Sequence, residues 1–112
     1  MDEVPKRINR QVREWAGIAH ERDLRKALSE LHRQFERWEL GEIDSLELNE
    51  GVHRFHQERS REIWKRYATT HLEAAVASAV AAGVLRKEEL TSELLHHLAA
   101  LIEFYEHDLS TP

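Results

Sequence analysis

Leu24, Leu28, Leu31, Phe35 and Trp38 follow one another at spacings of four, three, four and three residues, and no other feature narrows the fold as far. An α-helix turns once in about 3.6 residues, so this rhythm gathers all five side chains on one side of a helix, whereas a strand would need strict alternation. Similar spacing returns in Ile8, Val12, Trp15 and Ala19, in Leu48, Val52, Phe55, Ile63 and Tyr67, and in Leu72, Val76 and Val80. It returns once more in Leu94, Leu98, Leu101 and Tyr105, with Leu95 and Ile102 widening that stripe. No segment alternates apolar with polar residues, so the chain is expected to be all-α.

Capping residues divide the pattern into elements. Pro5 suits a first helical position. The Leu24 series is offset by about two positions from the Ile8 series, which predicts a helix that bends or restarts between His20 and Asp23, with Asp23 available as the new cap. Gly17 favours the break, costing about 1 kcal/mol relative to Ala inside a helix. Gly41 ends that segment, and Asp44 or Ser45 opens a central helix with Glu47 in capping-box position. This helix is expected to reach Tyr67 or Ala68, its apolar stripe thinned by the polar run Gln57 to Glu62. Thr70 with Glu73 reads as a second capping box, opening an Ala-rich helix that Gly83 stops. The link VLRKEEL is expected to turn while pinning Val84 and Leu85, and Thr91 or Ser92 caps the last helix. Short links imply antiparallel neighbours. The expectation is a small antiparallel bundle of four to five helices, one domain over residues 1–112, loose at about 1–4 and 109–112. Its core should come mainly from the central and last helices, with Trp15 and Trp38 as anchors.

Composition excludes several functions. With no cysteine among 112 residues, disulfide frameworks, thiolate zinc sites and cysteine nucleophiles are ruled out. No apolar run has signal-peptide length, and residues 72–85, nearly uncharged, are too few to cross the roughly 30 Å of a bilayer. A cytoplasmic protein with no membrane partner is expected. The formal net charge of −5 argues against nucleic-acid binding, and it is distributed unevenly. Residues 1–66 hold fourteen basic and fourteen acidic side chains, residues 67–112 two and seven. In the central helix Glu58 and Glu62 interleave with Arg54, Arg59, Arg61, Lys65 and Arg66 at ion-pair spacing, so most of that basic charge is already answered.

Two patterns carry possible chemistry. Glu50-x-x-His53 and Glu93-x-x-His96 each place a carboxylate and an imidazole on adjacent turns, and the paired arrangement is similar to that of ferritin-like di-iron bundles. That resemblance implies an iron site completed by two further carboxylates, for which Glu30 and Glu73 are the candidates. Glu50, His53 and His56 form a second option, a single zinc or nickel ion. Separately, Arg66-Tyr67-Ala68-Thr69-Thr70-His71 has the spacing R-x-x-x-x-H and resembles the motif of HEPN nucleases, small helical bundles often found in toxin–antitoxin or defence modules. The resemblance covers six residues, and Tyr67 departs from the small polar residue usual there. It implies ribonuclease chemistry at a dimer interface, Arg66 gripping phosphate and His71 transferring a proton.

Against these stands the plainer reading that most of these side chains are solvated or capping groups. No Gly-rich phosphate loop and no nucleophile elbow are present. A non-enzymatic protein-interaction or regulatory module of the antitoxin kind is therefore expected. Its partner is another protein or a second copy of the chain, with no cofactor required.

Overall fold

The computed structural model describes residues 4–110, the side chain of Ser110 excepted. The fold is all-α, with no strand among the described residues. Helix α1 spans Lys6–Glu39, α2 Ser45–Arg54, α3 Ser60–Tyr67, α4 Leu72–Ala81 and α5 Ser92–Ser110. A π-helical turn, Phe55–Arg59, joins α2 to α3 without a break, and a 3₁₀ turn, Lys87–Glu89, precedes α5. Of the ends expected to be loose, Leu109 and Ser110 form the last residues of α5, and residues 1–3, 111 and 112 lie outside the described residues.

The expected bend or restart at His20 to Asp23 does not occur, since α1 is one helix of 34 residues. The reason lies in small residues that a search for large apolar side chains passes over. Ile8, Val12, Ala16, Ala19, Asp23 and Ala27 are all buried, and they follow at four, four, three, four and four residues, one unbroken helical stripe through the supposed junction. Asp23 lies inside the helix rather than at a cap. The Leu24 to Trp38 seam flanks this stripe, which leaves Leu28 47 %, Phe35 38 % and Trp38 41 % exposed. Trp15 is only half-buried, so neither tryptophan anchors a core as expected.

Two compact units divide the chain, Met1–Ala19 with Thr69–Pro112, and His20–Ala68. In the first, α4 packs on α5. Ala75, Val76, Ala77, Ala79 and Val80 are buried in α4, while Leu94, Leu98 and Ile102 are buried in α5. Each fully buried leucine contributes about 2 kcal/mol. The densest core is therefore that of α4 and α5, not of the central and last helices. In the connection Leu85 is buried as expected and Val84 only half-buried, while Leu90, not singled out in the sequence, is buried as well. The Thr70–Glu73 capping box is absent. His71 holds the cap position of α4 without a side-chain bond, its N–H donating to Thr69 Oγ1 at 3.0 Å, and Glu73 turns instead toward His97.

The second unit is an antiparallel helical hairpin. At its closed end the Trp38 indole N–H donates to Ser45 Oγ at 3.0 Å, and at the far end Tyr67 and Arg66 reach back to Asp23. Gly41, at φ +77°, turns the chain: its N–H donates to the Trp38 carbonyl and that of Glu42 to the Arg37 carbonyl, the paired bonds of a Schellman cap. Gly83, at φ +82°, closes α4 in the same way. Asp44 caps α2, accepting from the Glu47 N–H at 2.8 Å. The π turn falls near the polar run that thins the apolar stripe. Eight residues at 100° each would leave Ile63 about 80° away from Phe55, and one wide turn absorbs the excess. Leu48, Ile63 and Tyr67 are consequently all buried, whereas Val52 lies at the exposed margin.

Candidate functional site

The metal candidates are spread over the surface. Glu50 and His53 are exposed on α2 and share a shallow depression with Gln57, whereas His56, in the π turn, borders a different one beside Trp64. Glu93 is held by Arg7, whose guanidinium donates through Nε at 2.9 Å and lies 2.6 Å away through Nη2. That hydrogen bond keeps the Glu93 carboxyl below the usual carboxylate range. His96 is exposed. Its neighbour His97 is half-buried, as the flanking leucines predict for one of the pair, with Nε2 3.2 Å from Glu73 Oε2. This approach has ion-pair distance without hydrogen-bond geometry, leaving Nε2 buried and unpartnered. Among the described residues no three His, Asp or Glu side chains converge as a metal needs.

Arg66 and His71 stand on different elements. Arg66 lies in the last turn of α3, its Nη1 donating to Asp23 Oδ2 at 3.0 Å, and His71 is the exposed cap residue of α4 beyond a non-helical link. The guanidinium assigned to phosphate is thus already paired with a carboxylate of its own unit.

That carboxylate belongs to a group which the sequence reading missed. Asp23 is 7 % exposed, and its Oδ2 accepts from the Tyr67 hydroxyl at 2.5 Å as well as from Arg66. His20 stacks on the Tyr67 ring, centroids 5.0 Å apart and planes 12° from parallel. Burial, reinforced by the bond to Asp23, raises the Tyr67 phenol well above its ordinary range, because ionisation would set two negative charges together in a water-poor setting. The phenol therefore stays protonated and donates. A signal was available in the sequence: Asp23 stands four residues from both Ala19 and Ala27, on the buried stripe, where a carboxylate must find partners. The group locks the hairpin's far end.

Two further surfaces of the hairpin are open. One is a groove of about 250 Å³ between α1 and the α2–π segment, floored by Ala27, Leu31 and Phe55 and rimmed by Glu30, Arg54, Glu58 and Arg59. The other is the apolar seam of α1, where Leu28, Phe35 and Trp38 are half-exposed among flanking charges. No protein-family model, curated protein or solved structure matches this chain.

Proposed function

We propose that this chain is a non-enzymatic protein-interaction module that receives a partner helix along the seam of α1. One observation carries the reading. Leu28, Phe35 and Trp38 keep about two-fifths or more of their surface in water, on a regular helix and at spacings of seven and three residues, which put them on the one side that a docking amphipathic helix requires. A helix laid on that seam buries large apolar side chains at little ordering cost, since α1 is already formed and the far end of its hairpin is locked through Asp23. A regulatory role fits such a module, which acts by occupying its partner.

Lysine-directed cross-linking of the full chain in native lysate tests this. Lys26, exposed on the turn of α1 that carries Leu28 though on the opposite side of the helix, should join the chain to a protein partner through a long-spacer reagent, and Leu28→Asp should remove the product while the helical circular dichroism is unchanged. Cross-links that form through Lys65 of α3 alone, or that survive the substitution, overturn the proposal.

A further inference from the structure

We infer that the helix received by this seam is the same helix of a second copy, lying antiparallel; this rests on the docking reading above and names its partner. In heptad terms Leu28 and Phe35 occupy a positions and Leu24, Leu31 and Trp38 d positions. Antiparallel helices set a against d. In one register Leu28 meets the partner's Trp38 and Leu31 meets the partner's Phe35, and the two-fold axis repeats both layers. Each aliphatic side chain then faces an aromatic one, the large-against-small pairing that fills a seam without voids.

The flanking charges select the same arrangement. The e positions are Arg25, His32 and Glu39, and in that register Arg25 lies beside the partner's Glu39, twice by symmetry, with His32 beside the partner's His32 at the axis. Parallel helices set e against g instead. The g positions are His20, Ala27 and Gln34, which offer Arg25 and Glu39 no opposite charge, and Ala27 is buried within its own hairpin. Arg25 and Glu39 are both exposed, and among the described residues Arg25 pairs with Glu21 one turn away at 3.2 Å, a solvent-exposed contact that leaves its charge accessible to a partner. Two hairpins joined in this way give four helices around one apolar seam, an arrangement that offers both half-exposed faces a partner.

The absence of cysteine makes thiol placement clean. Chains carrying Leu31→Cys mixed with chains carrying Phe35→Cys should form a mixed disulfide on mild oxidation, and more of it than either variant forms with itself. Sedimentation should show a dimer that Arg25→Glu weakens by about tenfold at low salt and that the double variant Arg25→Glu/Glu39→Arg restores. A homodisulfide of Leu31→Cys in preference to the mixed product means parallel helices and overturns the inference. Failure of the double variant to restore the dimer overturns it too. A chain monomeric at millimolar concentration also overturns it; if Lys26 then still cross-links to a different protein in a Leu28-dependent way, the docking reading survives, and if it does not, both fall.

Discussion

Asp23 shows how one residue can be visible in a sequence and still misread. As a cap it would have had free backbone N–H groups to accept from; on a buried stripe it must take donors from another helix, and Tyr67 and Arg66 supply them. Asp23→Ala should therefore cost about 2–3 kcal/mol by urea unfolding, since it strips a buried hydroxyl of its acceptor, and Tyr67→Phe about 1 kcal/mol because Arg66 still answers the carboxylate. An Asp23→Ala chain within about 0.5 kcal/mol of wild type would show that the group locks nothing. Tyr67 also sets a pH dependence. Its phenol is raised in the folded chain, so the unfolded state loses that proton first as the pH climbs past about 10. The stability due to Tyr67 is complete below that pH and declines above it. Tyr67→Phe should flatten the decline between about pH 10 and 11, and identical alkaline slopes for the two chains would contradict the assignment.

Among the elements, glycines and the π turn make contrasting tests. Gly41 sits at φ +77°, where a Cβ is strained, and Gly41→Ala should cost about 1 kcal/mol. Gly17 has nothing within 4 Å of where a Cβ would stand and lies inside α1, so Gly17→Ala should stabilise by up to about 1 kcal/mol. Opposite shifts in the thermal midpoint are expected, and shifts of one sign would refute the contrast. The π turn holds one residue more than an α-helical path, so deleting the exposed Gln57 should convert α2 to α3 into regular helix and keep Ile63 facing inward. Deleting exposed Arg33 from regular α1 has no such slack and should rotate the Asp23–Ala27 stripe off its partners. Equal loss of urea stability in the two deletions would sink this account. Caps at Asp44, Gly41 and Gly83 were legible because they act within a few residues, whereas the failed Thr70–Glu73 box lost its acid to His97, a residue distant in sequence.

Across the whole molecule, burial is uneven. Five of the ten residues of α4 are buried, and no residue of the π turn is. Backbone amides of Val76, Ala77 and Val80 should exchange with solvent at least about a hundredfold more slowly than those of residues 55–59, opening only with the cooperative loss of their unit. Comparable protection at the two places would mean that exposure does not govern local opening here. No described helix is long and apolar enough to cross a membrane, in agreement with the expectation drawn from residues 72–85. The chain's own order of residues determined the all-α class, the positions of most helix ends and the connection pinned by Leu85, because periodicity and caps are local. Only the tertiary structure decided that α1 is continuous, that Asp23 is buried and that Leu28, Phe35 and Trp38 face outward. A helical stripe records which residues share a side, but which of two adjacent stripes goes inward depends on what packs against them, and here small alanines that admit a close neighbour displaced the larger seam.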